Sequence, residues 1–126
     1  MQSESQTLLQ LLKKTSAFFA GKGLESPRLQ AEILLAGVLS CQRLDLYMDF
    51  DKTLRADEID RYRDSVRRRV RHEPLQHIVG SVEFRELELE VNSDVLIPRP
   101  ETEGLVEVAL TCLKGRTTPS VLDLGC

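Results

Sequence analysis

Only three cysteines and two histidines occur in the 126 residues, and tryptophan is absent. Cys41, Cys112 and Cys126 are odd in number, widely spaced and form no C-x-x-C pair. That argues against a disulfide scaffold or a zinc site and for free thiols in a reducing compartment. His72 and His77 flank Pro74 with only Glu73 nearby, and their spacing across a proline does not place both on one helical face. No metal site is therefore expected, and both histidines are read as surface or hairpin-packing residues. No Ser/His/Asp or Cys/His arrangement for nucleophilic catalysis stands out. The apolar runs fall far short of the roughly 20 residues that cross a bilayer. From Met1 to Gln6 the chain is polar, without a basic start leading into an apolar stretch. A soluble, cytoplasmic protein with no membrane contact is the expectation.

What is present is ordinary for a globular chain: 41% hydrophobic and 29% charged residues, enough apolar content to argue against disorder. The length suits one modest core, or a small domain plus the opening of a second. The net charge of -3 conceals an asymmetry, +2 over residues 1–73 and -5 over residues 74–126. Such a split suggests two units with different surfaces.

Ser3, Ser5 and Thr7 offer caps to a first helix. Leu8, Leu12, Thr15 and Phe19, with Leu11 and Phe18 alongside, follow helical spacing up to Gly21 and Gly23. Ser26-Pro27 predicts a second start, a capping serine followed by proline at the first helical position. Leu29, Ile33, Ala36 and Val38-Leu39 then form an apolar face ending near Ser40. A short helical turn fits Leu44 to Met48. A longer helix is expected from about Ala56 to His72, with Ile59, Tyr62, Val66 and Val70 as its buried stripe. Acids lie in its first turn and arginines in its last, which suits the helix dipole. The first 73 residues thus read as a bundle of four or five short helices.

Beyond Glu73-Pro74 the period changes. Val82 to Phe84 and Leu87 to Val91 alternate around Arg85-Glu86, which predicts a hairpin with a glutamate-rich outer face. A lone hairpin is marginal in water, so it must pack on something and would serve as a linker. Leu96 to Glu103 contains Pro98 and Pro100 and reads as stiff and extended. A helix follows from about Glu103 to Lys114. Val121 to Leu124 then reads as a buried strand entering a glycine turn at Gly125. An apolar strand closing on Asp-x-Gly is how many nucleotide-type cofactor sites begin. The rest of such a sheet is missing, so the chain is expected to be the front part of something larger.

Two segments could carry function. Arg61, Arg63, Arg67, Arg68, Arg69 and Arg71 fall within eleven residues and could meet RNA phosphates or an acidic protein face. Against that, Asp57, Asp60 and Asp64 precede them at pairing distance along a helix, and no aromatics interleave for base stacking. Pro98 to Glu103 would present an arginine, a threonine and two carboxylates on a fixed backbone, which suits a pocket wall. A rigid connector whose Thr102 or Glu101 caps the next helix fits equally well.

Taken together, Glu73 to Gly80, Glu83-Phe84, Val95 to Glu103 and Val121 to Cys126 resemble the HemK/PrmC-type glutamine methyltransferases of peptide-chain release factors. Their order and spacing match over essentially the whole chain, together with the helical region ahead of them. The resemblance implies a mainly α architecture: a helical substrate-recognition domain over 1–73, a β-hairpin linker over 74–97, and over 98–126 the first helix and strand of a truncated α/β, Rossmann-like methyltransferase domain. It implies S-adenosylmethionine as cofactor and a release factor as protein partner, methylated on the glutamine side chain of its Gly-Gly-Gln motif. By the same resemblance Asp123, Gly125 and Cys126 belong to the cofactor turn, and Arg99, Pro100, Glu101, Thr102 and Glu103 line the active site.

The family's Asn-Pro-Pro-Tyr motif is absent, since the only asparagine is Asn92 and Ser93 follows it. No catalytic residue is therefore expected in this chain, which should neither bind the cofactor nor transfer a methyl group. Two further departures concern local structure. Glu86 replaces a common glycine in the hairpin, which would be strained if the turn needs a positive φ. Arg55 replaces the usual serine or threonine cap of the long helix. Two other readings remain: a stand-alone helical module docking on protein or ribosomal RNA through Arg61 to Arg71, and a fragment of a nucleic-acid adenine methyltransferase.

Overall fold

The computed structural model describes residues 6–125. The caps expected from Ser3 and Ser5, and Cys126 of the expected cofactor turn, lie outside the described residues. The chain forms α1 (Leu8–Gly21), α2 (Pro27–Leu39), α3 (Asp45–Met48), α4 (Ala56–Val70), α5 (Leu75–Val79), a hairpin of β1 (Ser81–Phe84) and β2 (Leu87–Glu90), and α6 (Pro100–Leu113). The fold is mainly helical with one two-stranded antiparallel sheet.

Thr7 opens α1 with a full capping box: Gln10 N–H donates to Thr7 Oγ1 at 3.3 Å, and Thr7 N–H to Gln10 Oε1 at 3.0 Å. Two further free amides of the first turn, Leu8 and Leu9, donate to the carbonyls of Lys52 and Phe50. The loop before α4 therefore crosses the start of α1 and is fixed by the donors a helix always leaves over. Arg55 heads α4 in an extended conformation, and its N–H donates to Glu58 Oε2 at 2.9 Å. An arginine has no acceptor, so only the glutamate half of a capping box forms here.

Ser26 departs from its expected role. It precedes Pro27 as predicted but sits at φ 46° and makes no side-chain capping bond. A capping serine needs an extended backbone to fold its Oγ back onto the next amides, and the left-handed conformation forbids that.

Three helices end alike. Gly23, Ser40 and His72 take φ of 74°, 52° and 67°, and the amide after each reaches back five residues, to Phe19, Ala36 and Arg68. These are Schellman closures, which want glycine at the left-handed position. Glycine fills only the first. The long helix accordingly stops at Val70, two residues before the expected end.

The core gathers Leu8, Leu11, Leu12 and Phe19 from α1, Ala31, Leu34, Leu35 and Ala36 from α2, then Leu46, Leu54, Ile59 and Tyr62. The expected stripe of α1 holds except for Phe18, which is exposed. The expected face of α2 is rotated: Leu29 is exposed and Leu34-Leu35 are buried. The helix is apolar over most of its circumference, so periodicity could not choose the inward side. Its flanks are covered by α1 and α4.

The hairpin pairs Ser81 with Glu90 and Phe84 with Leu87. Its two central residues, Arg85 and Glu86, both have positive φ (46° and 64°), the pattern of a type I′ turn without its favoured glycine. Val91 and Ile97 are buried beyond it and anchor the connection to α6. The expected final strand is absent among the described residues: 121–125 form no ladder, and Val121, Leu122 and Leu124 are exposed. A strand needs a neighbour to take its amides and carbonyls, and the hairpin lies elsewhere in the chain, paired with itself.

Candidate functional site

Arg99 to Glu103 do not continue as an extended segment. Arg99 keeps an extended backbone (φ -106°, ψ 147°), and α6 starts at Pro100. Proline at the first helical position loses no bond there, and its ring already holds the required φ. Pro100, Glu101, Thr102 and Glu103 therefore form the opening turn of a helix. Arg99, Pro100, Glu101 and Thr102 face solvent, and Glu103 is half-buried. No side-chain capping bond closes this start, so the capping role expected of Thr102 or Glu101 is not taken up.

What holds the turn in place comes from the hairpin. Arg85 N–H donates to Glu103 Oε1 at 3.3 Å, and the Arg85 guanidinium donates to Glu107 Oε2 at 2.6 Å, one turn further along α6. Between hairpin tip and helix lies a groove of about 540 Å³ lined by Glu83, Arg85, Glu86 and Glu103. Neither Arg85 nor Glu107 was singled out from the sequence. Glu107 sits one helical turn after Glu103, but nothing local shows that a turn residue twenty-two positions earlier will meet it.

Asp123 and Gly125 lie in exposed chain, with Gly125 at φ 83°. A positive φ suits the glycine turn expected there, but no strand precedes it. Among the described residues no hydrogen bond or ion pair joins Asp123 to residues 99–103. Two residues of a cofactor turn without walls do not make a binding site, so no step of any reaction is routed through a cofactor here. No cluster of three metal-ligating side chains gathers among the described residues. Cys41 and Cys112 are free thiols; burial, then the nearby Asp45 carboxylate, push the Cys41 thiol up, which keeps it protonated and unreactive.

Most of the arginine cluster is occupied within the fold. Arg68 forms a two-pronged pair with Glu73 at 2.8 and 2.6 Å, and this bonding holds the Glu73 carboxyl below its ordinary value. Arg69 donates to Gln30 Oε1 on α2 and to the Glu73 carbonyl. Arg61 reaches the Val38 carbonyl and Asp57, and Arg63 pairs with Asp60. Arg67 and Arg71 stay exposed. Four of the six therefore hold helices together or pair along one helix, and three of them, Arg61, Arg63 and Arg68, face a carboxylate. His72 is the exposed closing residue of α4. His77 lies on α5 beside the hairpin, with a buried Nε2 that has no partner.

A buried carboxylate also went unread in the sequence. Glu32 is 3% exposed and receives Arg28 Nε at 2.6 Å and Tyr47 OH at 2.7 Å, with Arg43 Nε at 3.6 Å. It ties α2 to α3. The available signal was a single acid inside the apolar run Ala31 to Leu35. Donating to the Glu32 carboxylate raises the Tyr47 hydroxyl above its ordinary value.

The described residues thus form a small helical bundle that leads through a clamped hairpin to a new helix. Residues 10–80, from α1 to the residue closing α5, match the family model described as the PrmC N-terminal domain. The chain belongs to that family. It is similar to the release factor glutamine methyltransferase of Rhodopirellula baltica, 46% identical over an alignment of 123 residues that covers 94% of this chain and 42% of that protein. The corresponding proteins of Chlorobaculum tepidum and Geobacter sulfurreducens are each 42% identical, over 94% and 97% of this chain and 42% of theirs. The chain spans about two fifths of the length of these relatives.

No helix among the described residues is long and apolar enough to cross a membrane.

Proposed function

We propose that this chain is the substrate-recognition part of a release factor glutamine methyltransferase. Residues 1–73 would engage the release factor, 74–97 would connect, and 98–126 would open an α/β domain that binds S-adenosylmethionine. The supporting observation is identity of 46% to a named release factor glutamine methyltransferase through both helical and post-hairpin segments, over 94% of the chain. In this reading the reaction is methylation of the glutamine side-chain nitrogen in the factor's Gly-Gly-Gln motif, in the cytoplasm.

An amide nitrogen is a poor nucleophile, because its lone pair is delocalised into the carbonyl. Such a reaction depends on holding the amide in line with the methyl donor and fixing its oxygen and hydrogens by hydrogen bonds. Arg99, Pro100, Glu101, Thr102 and Glu103 would form one wall of that site, and Asp123, Gly125 and Cys126 the first turn of the cofactor cradle. The asparagine motif that would hold the amide is absent from this sequence. The chain alone is therefore expected to bind the factor and to leave it unmethylated.

Two measurements on one sample test this. Titrating the chain with a peptide-chain release factor in a calorimeter should give saturable binding, and no heat at any concentration would overturn the recognition role. Adding labelled S-adenosylmethionine should give no methyl incorporation. Label on the factor above background would overturn the assignment of chemistry to residues this sequence lacks.

A further inference from the structure

We infer that Arg85 is a positioning residue: by gripping Glu103 and Glu107 at once, the tip of the hairpin sets where the opening turn of α6 stands. That this turn is an active-site wall rests on the proposed function; the grip itself does not.

The geometry of α6 makes the grip necessary. No residue of this helix is buried. Leu105, Val108 and Leu110 are 68%, 61% and 50% exposed and only Val106 and Leu113 among its large apolar residues are half-buried, so hydrophobic packing holds α6 against the preceding structure only weakly. Its chain tether, anchored at Ile97, fixes where the helix begins and leaves its direction open. Direction requires a second contact further along, and Arg85 supplies two: its main-chain N–H on Glu103 and its guanidinium on Glu107, one turn apart. Two points one turn apart on one face define an axis, which a single ion pair would not.

The turn is shaped for this task. Arg85 and Glu86 both occupy the left-handed region, where side chains other than glycine are strained. The strained turn presents the Arg85 amide outward, toward the Glu103 carboxylate. Arg85 is 30% exposed at its side chain, whereas Glu107 is 66% exposed. The guanidinium is thus partly sheltered while its partner stands in solvent, and such a pair is directional yet screened by salt.

Spin-label distances in the chain itself test the grip. Cys41→Ser and Cys126→Ser leave Cys112 on α6 as one label site, and Glu90→Cys on β2 supplies the other. One narrow distance distribution is expected at low salt, broadening at high salt. Arg85→Gln and Glu107→Gln should each broaden it at low salt and abolish the salt response. The exchange of Arg85→Glu combined with Glu107→Arg should restore the narrow peak, which a purely local role of Arg85 in the hairpin turn would not allow.

A distribution unchanged by both single variants, or left broad by the exchange, overturns the inference. The readout involves neither cofactor nor release factor. Failure of the grip therefore leaves the functional reading standing, and failure of release-factor binding leaves the grip standing.

Discussion

Tyr62 shows how much one residue settles. It is fully buried at the centre of the helical core, and its hydroxyl donates to the Ala31 carbonyl at 3.1 Å. Its place in the stripe with Ile59 was legible from spacing alone; the partner thirty-one residues away was not. Burial pushes its pKa up to about 12, with Thr15 offsetting part of the effect. Below pH 10 the hydroxyl is neutral in both states and contributes no pH dependence. Between about pH 10 and 12 it ionises in the unfolded chain only, so stability should fall with rising pH by about 2 kcal/mol. Tyr62→Phe should cost about 1 kcal/mol at neutral pH for the lost hydrogen bond and flatten the alkaline fall. Urea unfolding of both proteins at several pH values measures the difference. Glu32 makes the complementary point: its burial follows from which side of α2 turns inward, and a helix apolar over most of its circumference does not announce that side.

At the level of elements, starts were more legible than stops. Thr7 and Pro27 open helices through local chemistry, a hydroxyl acceptor or a preset φ, that the residue type carries with it; α6, expected from Glu103, starts three residues earlier at Pro100. Endings at Ser40 and His72 depend on left-handed backbones that neither residue type advertises. They are held there by amide bonds back into the helix and, at His72, by the adjoining Arg68–Glu73 fork. His72→Gly should therefore raise stability by about 1 kcal/mol, since the exposed imidazole offers no contact to lose and glycine enters the left-handed region without strain. A shift in the urea midpoint at unchanged slope is the expected result. The stiffness read into Pro98 to Glu103 is real only up to Arg99, because the second proline serves as a helix start.

For the whole molecule the decisive fact is where the core ends. Its members run from Leu8 to Tyr62, the partly buried residues packed on it reach only Val79, and no residue of α6 is more than half-buried. Removing residues 98–126 should accordingly leave the unfolding free energy within about 0.5 kcal/mol, the range of changes that touch no core contact. Denaturation followed by far-ultraviolet circular dichroism compares the two lengths. A larger loss would mean that the segment after the hairpin stabilises the bundle. The split in charge between the two halves of the sequence falls near the same division, in the loop that leads from α4 to the short α5.

The residue order by itself determined the starts of α1, α2 and α4, the buried stripes of α1 and α4, and the two-residue turn of the hairpin. Each follows from side-chain chemistry and spacing within one or two turns of chain. The short α5 and the start of α6 at Pro100 were not read from that order. Tertiary structure alone decided the inward side of α2, the burial of Glu32, the reach of Arg61 to Val38 and of Arg69 to Gln30, and the hold of Arg85 on Glu103 and Glu107. These depend on groups fifteen to thirty-nine positions apart, and only packing of the elements can bring such groups within bonding distance. Val121 to Leu124 teach the same lesson in reverse: an apolar run becomes a strand only where a neighbouring strand receives its backbone.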